Sequence, residues 1–190
     1  GEIPSKHREV MQNALLASPI SPFDPMDKAF HAIASHEEGW QLIHEYPISD
    51  ELLAVSHVWT SPLKGSLVVA TKGAPEAIAR LFNLDQQGMK AIIKDVDAAT
   101  KRGFRVLGVA KAEFNPHGIL PESPGDFEFV FLGLVHLHDP VRPGVPEAVA
   151  ECARAGVRTV MVTGDYPGTA LSIAKEVGIN HEAGVITGAE

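Results

Sequence analysis

The sequence predicts an α+β domain built on an antiparallel sheet, followed by a shorter, incomplete α/β segment. Three observations carry this. Strand-like runs at residues 40–46, 53–60 and 66–71 are separated by stretches that carry Pro, Ser, Asp and Gly. Two helical patterns then precede the next strand-like run at 104–110. Beyond residue 126 strands and helices alternate one by one. A Pro/Gly/Ser-rich loop at 115–126 marks the expected boundary, giving domains 1–126 and 127–190.

Taken in order, residues 5–17 carry Val10, Ala14 and Leu15 at helical spacing, and Pro19, Pro22 and Pro25 then enforce a loop. Asp24-Pro25 reads as a cap and first-turn proline for a helix through residue 35. Residues 74–82 and 88–102 read as helices, the second stopped by Gly103. In the later segment, 127–137 is expected as a strand, 146–155 as a helix, 157–162 as a very apolar strand and 166–177 as a helix. A buried, β-branched strand between helices is the pattern of a parallel sheet. Two such strands are too few to bury both faces, so this segment is expected to be incomplete.

Composition narrows the function. The chain has 190 residues, 45% of them hydrophobic and 21% charged, which suits a globular core without staples. Cys152 is the one cysteine, which rules out an internal disulfide and a cysteine-based zinc site. A formal net charge of −8 with no run of Lys or Arg argues against nucleic acid as a partner. The longest apolar stretch, 127–137, is broken by Glu128 and His136 and is too short to span a bilayer. The opening residues lack the apolar core of a signal peptide, and Gly1 in place of Met suggests a piece of a longer chain.

Three stretches carry candidate chemistry. The first is Val160-Met-Val-Thr163-Gly164-Asp165, an apolar run leading into a helix. At the carboxyl end of a parallel strand, the Thr163 hydroxyl and free N–H groups would face a ligand crevice. From geometry alone, Asp165 as a plain helix cap is the commoner reading. The second is Asp139-Pro-Val-Arg142, which reads as a rigid turn, with Arg142 within reach of Asp139 or of a phosphate. The third is Lys72-Gly73-Ala-Pro-Glu76, where a lysine at a strand end, a glycine and a helix start make a compact positive site. His136 and His138 alternate at a strand end, a spacing metals use, but two packed or surface histidines are far more common.

The wording and order of these three stretches resemble the cytoplasmic part of P-type cation-transporting ATPases, with the spacing of the type II, calcium-pump-like branch. Lys72-Gly-Ala-Pro-Glu76 is similar to the nucleotide-domain signature. Asp139-Pro-Val-Arg142 is similar to the hinge signature where the chain re-enters the phosphorylation domain. Met161-Val-Thr163-Gly164-Asp165 is similar to the next phosphorylation-domain motif. The resemblance implies a nucleotide-binding domain followed by a partial phosphorylation domain of haloacid-dehalogenase-like, Rossmannoid type. It implies ATP and Mg2+ as substrate and cofactor, and the remainder of a membrane pump as partner, with this part on the cytoplasmic side. It also implies roles. Asp27, in Asp24-Pro-Met-Asp27-Lys-Ala, stands where the family's acidic residue contacts the adenine amino group. Lys72, Gly73 and Arg105 hold the nucleotide. Thr163, Gly164 and Asp165 lie on the phosphate and magnesium side, and Asp139 and Arg142 work near the hinge.

Two departures are visible. In Pro47-Ile48-Ser-Asp-Glu-Leu-Leu53, Ile48 stands where the family often has an adenine-stacking Phe, and Leu53 where it has a Lys. The phosphorylated Asp-Lys-Thr-Gly-Thr motif and the later Gly-Asp-Gly-x-Asn-Asp motif occur nowhere in the chain. The chain alone is therefore expected to be a monomeric, inactive, ATP-binding piece of a pump. The alternatives are a non-catalytic nucleotide-binding module and a soluble haloacid-dehalogenase-type phosphatase.

Overall fold

The computed structural model describes residues 4–36, 38–61, 65–82, 84–180 and 184–187. The chain forms two compact units. The first comprises Gly1–Ile93 and Leu107–Val135, the second Lys94–Val106 and His136–Glu190.

The first unit is an α+β fold. Two helices, α1 (Ser5–Leu16) and α2 (Pro25–Ile33), precede strands β1 (Gln41–Tyr46), β2 (Ala54–Thr60) and β3 (Leu67–Gly73). Helices α3 (Pro75–Leu81) and α4 (Gln86–Thr100) follow, then β4 (Arg105–Phe114) and β5 (Val130–Leu137). The five strands make one sheet in the order β1-β2-β3-β4-β5, with antiparallel registers along β1–β2, β2–β3 and β3–β4. Asp24 starts α2 as its sequence promises: the carboxylate accepts a hydrogen bond from the Met26 N–H at 2.7 Å, and Pro25 fills the first turn.

The two-residue period of β2 and β3 sorts their side chains onto two faces. Ala54, Val58, Leu67 and Val69 join Ile78 of α3 in the larger core, with Ala110 and Ala112 of β4. Trp59, Val68 and Ala70 face the other way, against Leu16 and Ala17 at the end of α1. Both faces are therefore covered, and β3 is buried along almost its whole length. His57 and Lys72 share the α1-covered face, because they alternate with Ser56, Val58 and Thr71.

The boundary departs from the expected 126/127. Phe127 and Phe129 pack in the first unit's core beside Tyr46 and Phe114, and Phe131 stacks on Phe82 at 5.2 Å. The strand expected to open the second segment thus completes the first unit's sheet, and the first unit closes at Val135.

In the second unit, α5 (Val145–Arg154) and α6 (Pro167–Val177) follow the end of β5. Residues 157–162 form no strand. Val157, Val160 and Val162 are 56%, 68% and 92% exposed, so this run has the composition of a buried strand without a ladder to join among the described residues. The expected buried strand is therefore not formed: a strand exists only where a neighbour takes up its backbone hydrogen bonds.

Candidate nucleotide and phosphate residues

The expected residues fall into one group in each unit. In the first, α1, α2 and β3 converge on Lys72. Its side chain is 8% exposed, and its ammonium donates to the Asp27 carboxylate and to the Ser18 hydroxyl. Nζ also lies 5.0 Å from the centre of the Phe30 ring. Burial pulls the Lys72 pKa below the ordinary lysine value, and the hydrogen bond and charge of Asp27 oppose that pull. Ser18 in turn donates to the Ala14 carbonyl at 2.8 Å. On the same face the His57 imidazole lies between the Leu16 carbonyl, 3.0 Å from Nδ1, and Glu45, 3.4 Å from Nε2. Burial is the largest influence on His57 and holds its pKa below the usual histidine value. Ser18 was missed by the sequence reading; nothing in its local sequence marks it, because its partner lies 54 positions away.

Gly73 is explained by its neighbours. Opposite Ala54 in the register, it has no room for a side chain: a Cβ there would overlap the Leu53 carbonyl oxygen and Ala54. That oxygen accepts the Ala74 N–H at 2.9 Å. Ile48 and Leu53 lie on the β1–β2 connection and are 64% and 52% exposed. Neither is part of the core.

In the second unit the arrangement starts from a turn. Gly103 adopts φ 81°, a left-handed conformation that ends α4 and sends the chain into β4. α6 packs against this turn: Thr169 Oγ1 donates to the Phe104 carbonyl at 3.0 Å, and Gly168 sits against Thr100 with no space for a Cβ. This docking brings the residue just before α6, Asp165, onto Arg105. The guanidinium forms a two-point pair with the Asp165 carboxylate, Nε to Oδ1 at 2.9 Å and Nη2 to Oδ2 at 3.2 Å. Asp139 reaches the same guanidinium at 3.8 Å from Nη1.

The capping role for Asp165 is therefore set aside. The α6 N-cap is Tyr166, which makes no side-chain cap bond, and the Asp165 carboxylate serves Arg105 instead. Thr163 Oγ1 accepts the Asp165 N–H at 3.0 Å, which shapes the Thr163-Gly164-Asp165 bend. Thr163 and Gly164 are exposed. Arg142 is also exposed, and Asp139 turns to Arg105 rather than to it. His136 and His138 flank the Phe104 ring at 6.0 and 5.8 Å. Among the described residues no three His, Cys, Asp or Glu side chains come together as a metal site. No described helix is long and apolar enough to cross a membrane.

Residues 27–190 match the family model of haloacid dehalogenase-like hydrolases. The chain is 32% identical over 146 residues, 72% of its length, to a sodium/potassium exporting P-type ATPase of Schizosaccharomyces pombe. It is 33% identical over 168 residues, 79% of its length, to a plasma membrane calcium-transporting ATPase of Bos taurus. It is 33% identical over 180 residues, 91% of its length, to the ATP-binding subunit of a potassium-transporting ATPase of Pseudomonas aeruginosa. The matched region spans 14%, 14% and 23% of these three relatives. The chain belongs to the haloacid dehalogenase-like hydrolases, and it is similar over most of its length to cation-transporting P-type ATPases.

Proposed function

We propose that the chain is the ATP-handling cytoplasmic part of a cation-transporting P-type ATPase. The first unit would be its nucleotide-binding domain and the second part of its phosphorylation domain. The observation that carries this is the Arg105 guanidinium held by Asp165 and Asp139 beside the Thr163-Gly164 bend. It gathers an arginine, two carboxylates and a hydroxyl in one small unit. Such a set suits a transferring phosphoryl group, where the protein's task is positioning and charge stabilisation.

In this reading Asp27, Ile48, Lys72 and Gly73 are nucleotide-binding residues of the first unit. Within the second unit Arg105 is a phosphate-binding residue, and Arg142 and Asp139 act near the hinge. Phosphate oxygens compete with Asp165 for the Arg105 guanidinium, so nucleotide engagement loosens that pair. The oxygen donors of Asp165, Asp139 and Thr163 are of the class that Mg2+ takes, usually one or two carboxylates completed by phosphate oxygens. Asp165 would be the residue on that side, and the ion would supply charge neutralisation for the phosphates.

No Asp-Lys-Thr sequence occurs in the chain, so it has no aspartate of that motif to accept the phosphoryl group. On its own it should bind ATP without turning it over. Incubation with γ-labelled ATP and Mg2+ tests this. Protein-bound label released by hydroxylamine would contradict it, and steady phosphate release from small phosphomonoesters would favour a phosphatase.

A further inference from the structure

The connection from α2 to β1 rests on β2 through His36. Its imidazole packs on the Trp59 ring with centroids 5.0 Å apart and 31° between the planes. Trp59 is itself fixed: it is 3% exposed, and its Nε1 donates to the Leu16 carbonyl at 2.8 Å. Both His36 nitrogens are closed off from water, and neither has a hydrogen-bond partner. A neutral imidazole so placed leaves one donor and one acceptor unmet, whereas an imidazolium would leave two donors and a charge. The docked position tolerates the neutral ring and penalises the charged one.

The charged and titratable groups around His36 do not offset that penalty. α2 offers His31, whose ring lies 5.5 Å away and whose positive charge opposes a second one. β2 offers Trp59 and, two residues back on the same face, His57, which is engaged with Glu45 and the Leu16 carbonyl. α1 offers the uncharged Gln12, which donates to the neighbouring Ser35 carbonyl at 3.3 Å. Lys72 on β3 is engaged with Asp27 and Ser18. No described carboxylate is among the charges that act on His36. Burial and His31 together hold its pKa below the usual histidine value of 6.5.

We propose that His36 is a proton-operated latch: docked on Trp59 when neutral, it releases the α2–β1 connection at residues 34–36 when it takes up a proton. The release is local. The first turn of α2 stays anchored through Asp27 to Lys72, and His31 ties the middle of the helix to the Pro19 carbonyl at 3.0 Å. Acidification therefore frees the end of α2 and uncovers the Trp59 ring face without unfolding the sheet. The docked pKa lies below the free one, so docking is complete above about pH 6.5 and is lost as pH falls through the docked value. With one proton involved, the ratio of docked to released forms falls about tenfold per pH unit there.

An NMR titration of the full chain between pH 7.5 and 5 tests this, read at the His36 imidazole, the Trp59 indole N–H and the amides of 34–36. These should shift together in a single one-proton step below pH 6.5, while the amides of β2 and β3 keep their exchange protection. His36→Phe keeps an aromatic ring on Trp59 but takes no proton, and its amides at 34–36 should lose the step. His57→Gln should keep the step, which separates the latch from titration of His57. If either variant does not fold, the wild-type signals decide. A His36 that titrates at or above pH 6.5 would overturn the proposal. So would a step that survives in His36→Phe or vanishes in His57→Gln, or protection lost across β2 and β3 at the same pH.

Discussion

Replacing Lys72 by Met should destabilise the first unit by about 3–5 kcal/mol, the usual loss when one member of a buried ion pair is removed. The structure argues for the lower half of that range. Lys72 is 8% and Asp27 17% exposed, so the stranded carboxylate recovers some hydration. Met matches the length of the lysine stem and keeps its packing over Phe30. Ser18 remains satisfied through its bond to the Ala14 carbonyl. Removing both charges, with Lys72→Met and Asp27→Leu together, should restore stability to within ~1–2 kcal/mol of the wild type, because neither ion is then buried alone. Urea unfolding followed by tryptophan fluorescence isolates the effect, since Trp40 and Trp59 both belong to the first unit. A loss below ~1 kcal/mol for Lys72→Met would show a pair screened by water, as surface pairs are. It would refute the picture of a sealed lysine.

Three other outcomes follow from named contacts. His57 has a folded pKa below its unfolded value, so the unfolded chain binds more protons in the acid range. The associated stability is complete above about pH 6.5 and is lost as pH falls through the folded value; thermal melts at pH 7.5 and 5.5 should show the drop, and His57→Gln should reduce it. Thr169→Val leaves the Phe104 carbonyl without its partner and should cost about 1–3 kcal/mol in the second unit, read as faster amide exchange along α6. Ile48→Phe should tighten ATP binding, and Leu53→Lys should add to it; both sites are exposed, so neither change overpacks a core, and calorimetric titration in which neither variant gains would remove both residues from the adenine site.

How much of this was legible depends on the range of the interaction. Local chemistry read directly. Asp24-Pro25 caps α2, Gly103 ends the α4 turn, and the strand runs at 40–46, 53–60 and 66–71 became β1, β2 and β3. Sheet membership did not read directly. Residues 127–137 fit any sheet by pattern, and only the packing of Phe127, Phe129 and Phe131 assigned the strand to the first unit. Residues 157–162 had the composition of a buried strand, yet Val162 stands 92% exposed.

Site residues followed the same rule. Motif wording found Lys72, Arg105, Asp139 and Asp165 one at a time. Their pairing spans 45 positions for Lys72 with Asp27 and 60 for Arg105 with Asp165, a relation no local pattern contains. Asp165 binds a guanidinium rather than capping α6, and the missing side chain of Gly73 makes room for the β2 backbone at Leu53 and Ala54.

The central claim is that this chain handles ATP. Titration of the 15N-labelled chain with ATP, followed residue by residue, tests it most directly. Saturable shifts should appear at Asp27, Ile48 and Gly73, and at Arg105 together with Asp165 as phosphate competes for the guanidinium. Shifts confined to Thr163, Gly164 and Asp165, with Asp27, Ile48 and Gly73 unmoved, would contradict the account and point to a phosphate site without a nucleotide site.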